Sequence, residues 1–135
     1  MKNMRWIVTL LVLMLFVAAC GAGNEVTIPT YKVIKSKKTP ASYIVMVQTS
    51  VGISEEQVKL VSKEVIEKQE KKAKKYTIEF YEREADIAAG PTIAAAQAEV
   101  KEGAAVDPQT ITVKMVPDDE RKAIQEMVDQ KRVTK

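Results

Sequence analysis

Apolar and polar positions change their period several times along this chain, and each change marks an element. Tyr31-Lys32-Val33-Ile34 reads as a short first strand, followed by a basic turn from Lys35 to Pro40. Tyr43-Ile44-Val45-Met46-Val47 is a continuous apolar run between Pro40 and Gly52, the pattern of a strand covered on both faces. From Ser54 the period becomes helical. Ser54 and Gln57 have capping-box spacing, and Val58, Val61 and Val65, with Ile66 beside them, form one narrow apolar stripe. Leu60 falls on the opposite side. Glu55 and Glu56 suit the positive end of the helix dipole, and Lys71, Lys72, Lys74 and Lys75 the negative end. The spacing therefore predicts a helix over about 55–73.

Tyr76 to Tyr81 alternates and predicts a half-buried strand with Ile78 and Phe80 inward. Glu82 to Asp86 opens an acidic loop, and Gly90-Pro91 breaks the chain. Residues 92–100 carry two signals. Ala94, Ala95, Ala96 and Ala98 favour helix by propensity, yet the segment is short and sits between Gly-Pro and Gly103. It reads as a strand because Thr110 to Val116 alternates cleanly and needs a partner, with Asp107-Pro108 as the turn before it. Pro117 stops that strand. Asp118 is placed to cap a short last helix over about 118–132, in which Ile124, Met127, Val128 and Lys131 share a face.

The predicted order is strand, strand, helix, strand, strand, strand, helix. The middle helix is long enough for a crossover, so its flanking strands can be parallel, while the later strands suit hairpins. The fold class is α+β: a small mixed or mostly antiparallel sheet of four to five strands, one long amphipathic helix on a face, and the short C-terminal helix.

Upstream of this domain the pattern is different. Lys2 and Arg5 form a positive start, and Ile7 to Val17 is an apolar run of 11 residues, broken only by Thr9. A spanning helix needs ~20. Ala18 and Ala19 are the small residues a signal peptidase requires, and Cys20, the single cysteine, follows them. Val17-Ala18-Ala19-Cys20 resembles the lipobox of bacterial lipoprotein signal peptides. That resemblance implies a diacylglycerol on the Cys20 thiol, cleavage before it, and palmitate-type acyl chains holding the mature chain to the outer side of a cell membrane. Gly21 stands where an Asp would direct retention at an inner membrane. Residues 1–19 then form the signal peptide, 20–30 a lipidated flexible tether, and 31–135 the single α+β domain.

Composition narrows the chemistry. Of 21 basic and 18 acidic side chains, the first 19 residues carry Lys2 and Arg5 and no acid, so the net charge of +3 falls to +1 without them. The basic character belongs largely to the signal, and no nucleic-acid partner is expected. There is no histidine, which excludes a Ser/His/Asp triad and, with the lone cysteine acylated, a Cys/His zinc site. No cofactor or metal is expected.

The middle of the chain resembles a family of small uncharacterised bacterial and phage α+β domains. Tyr31-Lys32-Val33-Ile34, Phe80-Tyr81 and the stretch from Gly90-Pro91-Thr92-Ile93 through Ala98 to Gly103 carry the resemblance. It implies the fold and a strand at 92–100, but no activity. Glu99 to Glu102 stands where the family has an aromatic-plus-Pro element. Glu79, Glu82, Glu84 and Asp86 form the best candidate acidic cluster and the candidate polar site. Paired carboxylates can serve glycoside hydrolysis; solvated strand-end charges look the same in sequence. Calcium would need an Asp-x-Asp-x-Asp-Gly pattern that is missing. Two lysine groups, Lys68 to Lys75 and Lys32 to Lys38, could meet anionic lipid or wall polymers. The expected function is non-enzymatic: binding an envelope protein or polymer, or an accessory role. A small carboxylate-dependent envelope hydrolase is the alternative.

Overall fold

The computed structural model describes residues 26–69 and 73–134. Five strands form one mixed sheet in sequence order: β1 (Tyr31–Lys38), β2 (Tyr43–Thr49), β3 (Lys75–Tyr81), β4 (Ala94–Glu99) and β5 (Thr112–Met115). Helix α1 (Glu55–Glu67) connects β2 to β3, and that pair is parallel. The other three pairs are antiparallel. Helix α2 (Asp118–Val133) follows β5. The order and the single parallel pair are as the periodicity predicts, and the ambiguous alanine segment is a strand.

One face of the sheet carries the core. Val45 and Val47 of β2, Tyr76, Ile78 and Phe80 of β3, and Ala94, Ala96 and Ala98 of β4 are buried against Val58, Val61, Val65 and Ile66 of α1. The β4 alanines have no bulk of their own, so the large side chains of α1 and β3 fill the layer. Each buried Val, Ile or Phe contributes ~1.5–3 kcal/mol, which makes this layer the main source of stability. The helix starts as predicted: Ser54 Oγ accepts from the Gln57 N–H, and Gln57 Oε1 accepts from the Ser54 N–H at 2.9 Å. The opposite face is less covered than the apolar run of β2 predicts, since Ile44 and Met46 are only half-buried. Leu60, off the stripe, is also half-buried.

Four boundaries differ from expectation, each for a physical reason. Strand β1 continues through Lys38, and the turn lies at residues 39–42. A bulge between Val33 and Lys35 keeps the hairpin paired while turning Lys35 and Lys37 to the outer face. Helix α1 ends at Glu67 with Lys68 as its C-cap, because its apolar stripe runs out at Ile66. Lys71 and Lys72 lie outside the described residues, Lys74 lies in a bend and Lys75 opens β3. The helix lengths are also reversed, 13 residues for α1 and 16 for α2. Pro117 is the N-cap of α2, while Asp118 is its first residue and pairs with Arg121 instead of capping. Strand β5 is shorter than predicted because Pro108–Thr110 forms a 3-10 turn, with Asp107 accepting from the Gln109 N–H.

Candidate functional site

Of the four predicted acidic residues, Glu82 and Asp86 are brought together at the C-terminal end of β3. Glu79 lies within the strand and Glu84 is exposed on the 3-10 turn Glu84–Ala88. Glu79 accepts a hydrogen bond from the Tyr81 hydroxyl at 2.7 Å. The strand alternation puts both on the face away from α1. Burial first, and then this bond to a carboxylate, hold the Tyr81 phenol well above the ordinary tyrosine range.

Asp86 is fully buried, and its oxygens are taken by donors. Arg83 Nη2 donates to Oδ1 at 2.8 Å, Arg83 Nε at 3.1 Å, and Gln125 Nε2 reaches Oδ2 at 3.3 Å. The 3-10 turn makes this possible by folding the chain back so that residues three apart meet. Arg83 also reaches out to Asp129 of α2, through Nη1 at 3.1 Å. The Asp86 hydrogen bond is the leading cause of the raised Arg83 pKa. Glu82 Oε2 accepts from Arg121 Nη1 at 3.0 Å and from Gln125 Nε2 at 2.5 Å. Its N–H donates to the buried Thr92 Oγ1, and its carbonyl accepts from Gln48 Nε2. Bonds to Asp118 and Glu82, in that order, raise the Arg121 pKa.

The arrangement is a polar clasp that moors α2 to the end of the sheet. Arg121, Gln125 and Asp129 recur every four residues on α2, so one helix face carries all three. Val128 is the one buried residue of that helix, and Met127 stays 42% exposed. The apolar stripe expected to dock α2 is therefore a minor contact. Arg83, Arg121, Gln125 and Asp129 escape a sequence reading aimed at carboxylates. The available signals are the i, i+3 pair Arg83/Asp86 and the i, i+4, i+8 polar series on the helix. Chemically, the clasp offers carboxylate oxygens already occupied by guanidinium and amide donors.

Among the described residues no group of three or more Asp or Glu is placed to hold a metal ion. An open groove of 1080 Å³ lies at the other end of the sheet, lined by Ile66, Ala73, Lys75, Val100, Ala104 and Val106 among others. Of the lysines, Lys59 and Lys63 of α1 and its C-cap Lys68 are each paired with a glutamate of that helix. Lys75 pairs with Glu99. Cys20 lies outside the described residues, and among those described no helix is long and apolar enough to cross a membrane. Comparison with protein families, with curated proteins and with solved structures finds no match to this chain.

Proposed function

We propose that this chain is a lipoprotein, anchored by acyl chains on Cys20 to the outer face of a cell membrane, whose domain binds a protein or polymer of the envelope without catalysing a reaction. One observation carries the reading: Cys20 follows Val17-Ala18-Ala19 at the end of an 11-residue apolar run with positive charge before it. Each buried CH₂ contributes ~0.8 kcal/mol, so a single acyl chain holds a protein marginally and two or three hold it stably. The thioether on Cys20 then needs no help from the fold.

The clasp favours a binding role over a carboxylate-dependent hydrolase. A general acid must point at a substrate oxygen within hydrogen-bond reach. Glu82 and Asp86 point at Arg121, Arg83 and Gln125, and Glu79 at Tyr81. Their work is to position α2. The deciding experiment is Cys20→Ser in cells fed an alkyne-tagged fatty acid. Label should appear on the wild-type protein and vanish with the substitution. Label that persists on the variant, or wild-type protein recovered unlabelled from the cytosol, overturns the anchor. Crosslinking in intact cells then identifies the partner.

A further inference from the structure

We infer that the solvent face of β1, carrying Lys32, Lys35 and Lys37, docks on an anionic lipid surface; this rests on the membrane anchorage proposed above. In regular alternation Lys35 and Lys37 would share a face with Tyr31 and Val33, the side turned towards the core. The bulge at Ile34 shifts the register by one residue. Lys32, Lys35 and Lys37 now lie opposite Gln48, Met46 and Ile44, all on the face away from α1. The three side chains are exposed along one edge strand.

Their charges are also unspent. The three cross-strand neighbours are uncharged, and none of the three lysines makes an ion pair among the described residues. The lysines of α1 and its C-cap are the contrast, since Lys59, Lys63 and Lys68 are each neutralised one helical turn away. On the lysine-bearing face Glu79 is already engaged by Tyr81. The chain length completes the argument. Gln57 Nε2 donates to the Thr27 carbonyl, so the domain is gripped from Thr27 onward. A fully extended chain spans at most ~3.3–3.6 Å per residue, which keeps Thr27 within about 25 Å of a lipidated Cys20. The attached strand β1 is thereby kept within reach of the bilayer surface. Lysines on an edge strand also discourage strand-to-strand aggregation, but that role requires no lipid response.

The test is amine-acylation footprinting of the full chain, purified from membranes and reconstituted on two kinds of vesicle. One is phosphatidylcholine alone; the other contains phosphatidylglycerol as well. Labelling of Lys32, Lys35 and Lys37 should slow by about fivefold on the anionic vesicles, the factor one lysine contributes near such a surface. Lys59 and Lys63 should label equally on both, and high salt should remove the difference. The combined Lys35→Gln/Lys37→Gln variant should lose the slowing at Lys32. Equal labelling on the two vesicles overturns the docking. The mass of the N-terminal peptide in the same spectra reports on Cys20 separately. A lipidated peptide with a flat footprint sinks only the docking, and an unmodified peptide with a clear footprint sinks only the anchor.

Discussion

Thr49 and Thr92 are both buried, near the same end of the sheet, and their hydroxyls do opposite things. Thr92 Oγ1 accepts the Glu82 N–H at 2.9 Å, whereas Thr49 Oγ1 has no partner among the described residues. Burying an unpaired hydroxyl costs more than its net value when paired, and removing an acceptor strands its donor. Thr49→Val should therefore raise stability by about 1 kcal/mol, while Thr92→Val should lower it by about 1–2 kcal/mol. Equilibrium denaturation of the two variants decides this, and equal effects would mean that Thr49 has a partner. Tyr81 makes a pH-dependent case. Its phenol titrates higher folded than unfolded, through burial and then the Glu79 bond, so the folded state holds that proton more firmly. Its stabilising contribution is complete below about pH 10, where unfolded tyrosines ionise, and is lost as pH rises towards the folded value. Tyr31 shifts the same way, by burial first and then its bond to Glu64. Melting temperature should fall above about pH 10, and Tyr81→Phe should flatten that fall. An unchanged slope in the variant would show that other groups carry it.

The two helices are held by different forces, and their dynamics should differ accordingly. Four residues of the α1 stripe are buried in the main core, whereas α2 buries Val128 alone and relies on Arg83, Arg121 and Gln125. Among the described residues, Tyr81 and Val128 are the buried hydrophobics outside the core cluster. Elements with few buried apolar contacts open at lower free energy. Glu82→Ala removes the acceptor shared by Arg121 and Gln125 and should cost about 1–2 kcal/mol, whereas exposed Glu84→Ala should stay within ~0.5 kcal/mol. Hydrogen exchange should show α2 amides speeding up in Glu82→Ala with α1 unaffected; uniform acceleration would mean that α2 is part of the global unfolding unit. This split also explains what could be read beforehand. Strand order, the parallel pair and the α1 cap follow from period, propensity and a crossover-length helix, all local properties of the sequence. The bulge at Ile34 is set by pairing with β2 within a lysine-rich stretch that carries no apolar period, and the lysines after Ile66 extend the helical charge pattern past the point where the apolar stripe, and with it α1, ends. The clasp joins residues some 40 positions apart, and polar residues that distant leave no periodic trace. Half of the acidic cluster was legible as a group, but its arginine partners were not.

At the scale of the whole molecule, an anchor on Cys20 would leave the lipid and the folded domain as separate energetic units joined by a short stretch of chain. The core lies between α1 and the sheet, and the earliest described contact of the domain is the Thr27 carbonyl with Gln57. Glu25 sits just before that contact and after Cys20. A glutamate-specific protease acting on vesicle-bound protein should release the domain by cutting after Glu25; Glu102, exposed in the loop after β4, is changed to Gln for the test. The released fragment, beginning at Val26, should keep the circular dichroism and melting temperature of the anchored chain. A loss of even ~1 kcal/mol would appear as a drop of about 4–8 °C in a domain of this size. Such a drop would mean that residues upstream of Val26 contribute to the core, and that the stretch after Cys20 belongs to the fold instead of serving as a tether.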